Sequence, residues 1–134
     1  MILVDAGPLV AILDADDQHH ARCVESLAAI SEPLATVWPA LTEAMYLLGA
    51  LPQAQEGLWE MLARGAVRLL PLDLDDVPRM RELMAKYSDR PMDLADAALL
   101  RVAEREGVRK IFTVDRSDFG VYRLHGRTRL ILLP

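Results

Sequence analysis

Short apolar runs alternate along the chain with longer stretches whose apolar residues recur at helical spacing. Runs that are apolar at consecutive positions predict strands buried on both faces, and repeats of three to four residues predict helices. The predicted strands are 2–5, 34–38, 66–72, 110–114 and 128–133. The predicted helices are 18–30, about 39–51, roughly 53–64, 74–88 and a stretch from about 93 that Gly107 ends.

This alternation predicts an α/β fold. Strands separated by helices pair in parallel through right-handed crossovers, which place helices on both faces of the sheet. We therefore expect a three-layer α/β/α sandwich with a central, mostly parallel sheet, and a single domain over residues 1–134. Functional sites in such sheets form beyond the carboxyl ends of the strands, so candidate chemistry is sought there.

Composition and charge narrow the class of protein. The formal net charge of −5 argues against holding nucleic acid by the field of a basic surface, but not against a local site assisted by metal ions. A single cysteine, Cys23, excludes an intramolecular disulfide and argues against a cysteine zinc site. The amino terminus has no basic signal-peptide region, and no uncharged run reaches the roughly 18 residues of a membrane span. We expect a cytoplasmic protein without a membrane anchor.

Two acidic residues follow predicted strands. Asp5 is the only charged residue among the first thirteen, and Asp115 comes directly after the strand that ends in IFTV. Either side chain could instead cap a helix or a turn, Asp5 in front of the segment after Pro8. Two central strands that each end in a carboxylate favour a functional site at that edge of the sheet.

Glu43 is the only charged residue between Glu32 and Glu56, within a helix that is apolar on nearly every side. We therefore expect it to be buried. An isolated buried carboxylate costs several kcal/mol unless it is protonated, paired or bound to a metal. An arginine partner from elsewhere in the fold is one interpretation of Glu43, and a metal site is the other.

A third group of acids lies in RPMDLADAALL and DRSDF. Asp93 is placed as the N-cap of a helix, and Asp96 falls in its first turn, where the helix dipole favours negative charge. Asp96 also adjoins the apolar face formed by Ala95 and Ala98. This position favours a functional role over that of a solvated surface acid. Asp118 is either a further acid of the site or a residue of a surface turn.

Acids gathered from separate segments repel one another unless cations neutralise them. Oxygen-only ligands of this kind suit Mg²⁺ or Mn²⁺, with water and substrate phosphates completing the coordination. Such a centre can activate water for attack on phosphorus and stabilise the leaving oxygen. The predicted chemistry is phosphodiester hydrolysis.

These residues together resemble the PIN-domain ribonucleases, and among them the VapC-type toxins of bacterial toxin–antitoxin pairs. The resemblance extends over essentially the whole chain. It rests on VDAGPLVAILD, ALTEAMYLL, PMDLADAALLRVAEREG and TVDRSDF, which place the four family acids at Asp5, Glu43, Asp96 and Asp115. Thr42 precedes the second acid, as is frequent in the family, and Thr113, Asp93 and Asp118 are possible auxiliary residues.

The resemblance implies a metal-dependent endoribonuclease with a PIN-like fold. Its four acids would hold Mg²⁺ or Mn²⁺. Asp5, Asp96 and Asp115 would bind the ion directly or through water, and Glu43 could also orient the attacking water. It further implies a homodimer and inhibition by a small cognate antitoxin protein. Arg90 and Arg116, beside the third and fourth motifs, are candidate contacts to RNA phosphates.

The sequence departs from the family pattern after the first acid. Many relatives have a small polar residue there, whereas Ala6 and Gly7 follow Asp5 in this chain. A hydrogen bond to substrate or water is therefore either missing or supplied by the backbone.

Other functions remain as alternatives. A non-catalytic PIN-like module that binds a protein or RNA partner would fail to bind Mn²⁺ and would pair Glu43 with an arginine. Receiver domains require a lysine at the end of a late strand, and Lys110 begins its strand instead. Trp38 and Trp59 are interpreted as packing or dimer-contact residues rather than as platforms for RNA bases.

Overall fold

Seven strands and seven helices make up the computed structural model, which describes residues 1–134. The strands are β1 Ile2–Val4, β2 Leu34–Thr36, β3 Val67–Leu69, β4 Lys110–Phe112, β5 Arg123–Leu124, β6 Thr128–Arg129 and β7 Ile131–Leu133. The helices are α1 Ala6–Leu13, α2 His20–Ala29, α3 Trp38–Leu47, α4 Pro52–Ala63, α5 Val77–Lys86, α6 Leu94–Glu106 and α7 Arg116–Val121. A 3-10 turn, Leu74–Asp76, leads into α5. No helix is both long and apolar enough to span a bilayer.

Five strands form one sheet in the order β3-β2-β1-β4-β7, and every neighbouring pair is parallel. Strands β1 and β4 are adjacent at its centre, with Leu3 opposite Ile111. Because all five strands point the same way, their carboxyl ends lie along one edge. This arrangement confirms the predicted α/β sandwich and brings the residues after β1 and β4 side by side.

The alternating side chains of the central strands build two cores. Leu3 and Ile111 point into a cluster with α5 and α6, whereas Ile2, Val4 and Phe112 point into a cluster with α1, α2 and α4. Helix α3 packs against both α1 and α6. It therefore lies between the two helical layers, close to both.

The helix boundaries follow local capping chemistry. Asp93 accepts a hydrogen bond from the backbone N–H of Asp96 at the start of α6, as predicted. Gly107 ends the same helix in the left-handed region, with φ of 67°, which a residue with a Cβ adopts less readily. Prolines occupy the first positions of α3, α4 and α5, where the missing N–H would be unpaired in any case.

The C-terminal part of the chain differs from the prediction. The stretch 128–133, predicted as one strand, is divided between β6, which pairs antiparallel with β5, and β7, which joins the main sheet. Helix α7 and strand β5 were not predicted at all. Six and two residues are too few to show a hydrophobic period, so the sequence pattern could not indicate them.

A set of buried ion pairs joins α5, α6 and the 3-10 turn on one face of the sheet. Asp76 is 2% exposed and lies 2.7 Å from Nε of Arg101 and 3.0 Å from Nη1 of Arg105. Glu104 is likewise buried and lies 2.8 Å from Nε of Arg79. These five residues are called the ion-pair network below.

Candidate functional site

Asp5 begins the site, directly after the central strand β1. Its Oδ1 accepts a hydrogen bond from the backbone N–H of Ala6 at 2.8 Å and so caps α1. Its Oδ2 accepts one from the hydroxyl of Thr113 at 3.0 Å. The side chain is 9% exposed and has no cationic partner. The cap interpretation is thus correct, but capping uses only one carboxylate oxygen.

Thr113 connects the first acid to the fourth. It follows β4, is fully buried, and its hydroxyl donates to Asp5 while accepting from the backbone N–H of Asp115 at 3.0 Å. Asp115 in turn caps α7 by accepting from the backbone N–H of Asp118 at 3.0 Å. One threonine therefore holds together the ends of two neighbouring strands.

Asp96 approaches from the first turn of α6 and is 9% exposed. Its Oδ2 accepts a hydrogen bond from the hydroxyl of Tyr122 at 2.8 Å. Asp93, one turn earlier, is exposed and uses Oδ1 to cap the helix. Since α3 packs against α6, this helix end faces the helix that bears Glu43.

The prediction that Glu43 is buried is wrong. Helix α3 turns Leu41, Ala44 and Leu48 into the core and leaves Glu43 on its exposed side. The exposed side of α3 nevertheless carries a large aromatic side chain, Tyr46, which is 82% exposed. Glu43 forms no ion pair, so the interpretation as a core glutamate with an arginine partner is also wrong.

Thr42 does not contribute a polar group to the site in this conformation. Its hydroxyl donates back to the carbonyl oxygen of Trp38, one turn earlier in α3, at 2.9 Å. The threonine that does join the acids is Thr113.

The site acids raise one another's pKa values. Burial, with the negative charges of Glu43 and Asp93, raises the pKa of Asp5 to about 6, although Ala6 and Thr113 donate hydrogen bonds that oppose the shift. Burial and the charge of Asp93 raise the pKa of Asp96 to about 8. The negative charges therefore belong to a single interacting group.

The pKa values of the two remaining acids are also raised. Partial burial and the charge of Asp93 raise the pKa of Glu43. Burial raises the pKa of Asp115, and the negative charge of Asp118 adds to that rise. Asp5, Glu43, Asp96 and Asp115, called the acid set below, are therefore a site whose charge is not compensated by the protein.

The donor chemistry of the acid set fits a hard divalent cation. All its side-chain donors are carboxylate oxygens, which suit Mg²⁺ and Mn²⁺. No three Asp, Glu, His or Cys side chains are close enough to form a complete cage for one ion. Mg²⁺ does not require such a cage, because it usually binds one or two carboxylates and keeps several waters. One or two of Asp5, Asp96 and Asp115 could therefore bind the ion directly, and the remaining acids, Glu43 among them, could bind it through its waters.

The two candidate phosphate contacts, Arg90 and Arg116, already have hydrogen-bond partners within the protein. Asp118, in the first turn of α7, lies 3.1 Å from Nη1 of Arg90. Arg116 is exposed and donates to the carbonyl oxygen of Pro134. Neither arginine touches a residue of the acid set, and Arg90 reaches only the auxiliary Asp118.

The close approach of the Val114 side chain explains why a glycine stands at position 7. A Cβ built on Gly7 would lie 2.6 Å from Cγ2 of Val114, well inside van der Waals contact. Any larger side chain at Gly7 would push apart α1 and the end of β4. Those are the segments that hold Asp5 and Asp115, so packing under the site requires a glycine at position 7.

A groove of about 600 Å³ lies beside the acid set. Its walls come from α3 and the start of α6: Trp38, Pro39, Thr42, Glu43, Tyr46, Asp93, Leu94 and Ala95. Trp38 is 53% exposed here, so of its two predicted roles packing is wrong and dimer contact stays a prediction. Cys23, by contrast, is buried in the core.

Sequence reasoning missed Tyr122 altogether. The residue is fully buried and its hydroxyl contacts Asp96, yet it lies in FGVYRL, which has neither an acidic motif nor a clear period. A buried tyrosine hydroxyl needs a hydrogen-bond partner, but the sequence does not identify which one.

Comparison with known proteins finds a curated relative and several similar solved structures. Ribonuclease VapC26 of Mycobacterium tuberculosis is 27% identical over 135 residues, spanning 99% of this chain and 100% of the relative. The structure of Mycobacterium tuberculosis VapC20, described as a sarcin-ricin loop cleaving toxin, matches with a TM-score of 0.80 and 19% identity, over 87% of this chain and 92% of VapC20. A toxin–antitoxin complex from Klebsiella pneumoniae matches with a TM-score of 0.66 and 21% identity, over 90% of this chain and 92% of the matched one.

The two structural matches show a shared fold, since their sequence identities are low. The family model described as the PIN domain matches residues 2–123, which include the whole acid set and Tyr122. The resemblance inferred from the four sequence motifs is thereby confirmed, and the chain belongs to the PIN domain family.

Proposed function

We propose that this protein is a metal-dependent endoribonuclease that hydrolyses RNA phosphodiester bonds, and that it is the toxin of a VapC-type toxin–antitoxin pair. The observation that supports this most is the acid set itself. Four carboxylates from four separate elements lie towards the carboxyl edge of a parallel sheet, all with raised pKa values and none with a cationic partner. The similarity to Ribonuclease VapC26 over nearly the whole chain supports RNA as the substrate.

Each member of the acid set has a role in this proposal. Asp5, Asp96 and Asp115 hold Mg²⁺ or Mn²⁺ directly or through water, and Glu43 completes the site and orients the attacking water. A cation held by these residues would supply positive charge to polarise the scissile phosphate and stabilise the leaving oxygen. Thr113 keeps Asp5 and Asp115 in register through its two hydrogen bonds.

Auxiliary residues surround the acid set. Asp93 and Asp118 cap or begin the helices that present Asp96 and Asp115, and they add negative charge that favours a cation. Arg90 and Arg116 contact the RNA phosphates on either side of the scissile bond. For Arg90 this requires that its guanidinium group share or leave the ion pair with Asp118.

The partners of this protein follow from the same proposal. The exposed apolar surface formed by Trp38, Tyr46, Leu47 and Leu94 adjoins the acid set and supports contact with a small antitoxin protein or a second copy of the chain. The neighbouring Klebsiella pneumoniae structure is described as a toxin–antitoxin complex. We propose a cytoplasmic homodimer inhibited by an antitoxin, which an adjacent gene for a short DNA-binding protein would support.

Cleavage of a mixed pool of tRNA and rRNA tests the enzymatic function. The wild type is incubated with Mg²⁺ or Mn²⁺ beside Asp5→Asn, Glu43→Gln and Asp96→Asn. Asp16→Asn is the matched control, because Asp16 is an exposed acid outside the site. We expect discrete fragments from the wild type and from Asp16→Asn, and none from the three site variants or with EDTA.

Three other outcomes have distinct meanings. Identical fragments from the site variants would point to a contaminating nuclease and contradict the proposal. Mn²⁺ binding without cleavage would mean that the target is missing from the pool. Neither binding nor cleavage would favour the alternative, a non-catalytic PIN-like module that binds a protein or RNA partner.

A further inference from the structure

Tyr122 lies at the end of α7 and is fully buried. Its ring meets Tyr87 edge-on with centroids 4.9 Å apart, and Phe119 with centroids 5.2 Å apart. Two aromatic contacts of this kind fix the plane and the position of the ring. The hydroxyl therefore points in one defined direction.

That direction is towards the acid set. The Tyr122 hydroxyl donates to Oδ2 of Asp96 at 2.8 Å, and both groups are shielded from water. No other group donates to the ionised Asp96 side chain, and the neighbouring carboxylate of Asp93 repels it, so Oδ1 remains available to a cation. A single buried donor on one oxygen sets the rotation of a carboxylate and leaves its second oxygen free.

Helix α7 couples this contact to another member of the acid set. Asp115 caps the first turn of α7 through the N–H of Asp118, and the N–H of Tyr122 donates to the carbonyl oxygen of Asp118 at 3.1 Å. The helix has six residues, so its two ends are held in a fixed relation. One end places Asp115, and the other, through Tyr122, places Asp96 of a different helix.

We propose that Tyr122 is a positioning residue for divalent-cation binding: by holding Oδ2 of Asp96 it fixes Asp96 relative to Asp115. The inference rests on the proposed function, since it requires that Asp96 bind the cation. Tyr122 does not touch the substrate or the reacting atoms. Groups that orient metal ligands in this way typically contribute 10- to 100-fold to metal affinity or activity.

The chain offers a matched control for removing the hydroxyl. Tyr87 is also buried and packs against Tyr122, but its hydroxyl accepts a hydrogen bond from the backbone N–H of Arg123 and contacts no acid. Tyr122→Phe and Tyr87→Phe each delete one buried hydroxyl from the same aromatic cluster. Only Tyr122→Phe frees a carboxylate of the acid set.

The first experiment is calorimetric titration of the full-length protein with Mn²⁺, using wild type, Tyr122→Phe, Tyr87→Phe and Asp96→Asn, with thermal unfolding of each. We expect Tyr122→Phe to weaken Mn²⁺ binding 10- to 100-fold and Tyr87→Phe to change it less than two-fold. In RNA cleavage, Tyr122→Phe should raise the Mg²⁺ concentration for half-maximal rate by a similar factor.

The four proteins in this titration distinguish failure of the inference from failure of the proposed function. If Asp96→Asn loses Mn²⁺ binding while folded Tyr122→Phe keeps wild-type affinity, the inference is wrong and the proposed function stands. Equal weakening by Tyr122→Phe and Tyr87→Phe would show a packing effect and would also overturn it. If wild type binds no Mn²⁺, or Asp96→Asn binds as well as wild type, the metal site fails and the inference fails with it.

A second measurement does not depend on whether Tyr122→Phe folds. The chain has three tyrosines, so ¹³Cζ-tyrosine labelling gives three signals, assigned by elimination with Tyr46→Phe and Tyr87→Phe. Addition of Mg²⁺ should shift the Tyr122 signal, because its hydroxyl shares Asp96 with the cation. An unchanged Tyr122 signal at saturating Mg²⁺ would overturn the inference.

Discussion

Two groups of carboxylates in this protein have opposite electrostatic surroundings. In the ion-pair network, Asp76 and Glu104 each lie within 3.0 Å of an arginine, and their pKa values are lowered. In the acid set, Asp5 and Asp96 are equally buried, have no cation beside them, and have raised pKa values. The protein thus supplies positive charge beside the acids of the ion-pair network and supplies none beside those of the acid set.

The direction of each pKa shift depends on whether neighbouring groups outweigh the cost of burying the charged carboxylate. Burial opposes ionisation of Asp76, but a backbone N–H of Asp73 and the guanidinium groups of Arg101 and Arg105 more than offset it. At Asp96 the single hydroxyl of Tyr122 opposes burial and the charge of Asp93, and it does not prevail. A buried acid with its own arginine stabilises the fold, whereas an uncompensated group of acids is suited to a cation from solution.

The largest effect should come from removing a carboxylate of the acid set. Asp96→Asn should lower RNA cleavage on the order of 100-fold or more, because the cation loses a ligand, while the free energy of unfolding stays constant or rises as repulsion is relieved. Cleavage rates and urea unfolding of the same sample check both parts. A large loss of stability would mean that Asp96 is structural, like Asp76.

The reverse result is expected in the ion-pair network. Asp76→Asn leaves Arg101 and Arg105 without their buried partner and should lower the free energy of unfolding by about 3 kcal/mol. Cleavage per folded molecule should stay within a few-fold of wild type. Urea unfolding with Asp75→Asn, an exposed neighbour, as control measures this, and an unchanged midpoint would remove the distinction between the two groups.

Mg²⁺ should stabilise the protein through the acid set alone. A ligand at 100 times its dissociation constant that binds only the folded state adds about 2.7 kcal/mol. Thermal unfolding with and without Mg²⁺ should show this rise in wild type and in Asp76→Asn, and little of it in Asp96→Asn. A rise of the same size in all three would place the ion elsewhere.

The two groups should also respond to pH with opposite sign. The raised pKa values of Asp5 and Asp96 mean that the folded protein binds more protons than the unfolded chain, so the metal-free protein loses stability as the pH rises from about 4 towards 8. The lowered pKa values of Asp76 and Glu104 give stability that is lost only as the pH falls below about 4. Urea unfolding in EDTA between pH 5 and 8 should show a decline that Asp96→Asn flattens and Asp76→Asn keeps.

The smallest effect is expected at Arg90, which pairs with the auxiliary Asp118 and not with the acid set. Arg90 pairs with Asp118 at 3.1 Å, but both side chains are about one-third exposed, so Arg90→Gln should change the free energy of unfolding by less than about 1 kcal/mol. If Arg90 contacts RNA phosphates, the same variant should raise KM for RNA and reduce its salt dependence. An unchanged KM would assign Arg90 to the ion pair only.

The main sheet and its flanking helices other than α1 could be predicted from the sequence because each has a sufficiently long hydrophobic pattern. Prediction failed where the elements are short, as in α7 and the β5–β6 hairpin, and where one apolar run serves two sheets, as in 128–133. Segments of two to six residues are placed by tertiary contacts, which a local period does not record.

In the site, placement was predictable where a strand end determined it. Asp5 and Thr113 follow adjacent parallel strands, so their proximity comes from topology. The burial of Glu43 was predicted wrongly, because an apolar helix face left open to a groove has the same composition as one packed in a core. Asp76 was missed for the converse reason, since LDLDD looks like a solvated turn until Arg101 and Arg105 reach it from α6.

The capping bonds of the acids affect how related sequences should be interpreted. Asp5, Asp93 and Asp115 each support a helix start, so selection for folding alone would retain them in a lineage that no longer cuts RNA. Glu43 and Asp96 cap nothing. Among descendants of such a chain, inactivity should therefore be recognised by loss of Glu43 and Asp96, and survival of the three capping acids is poor proof of a working nuclease.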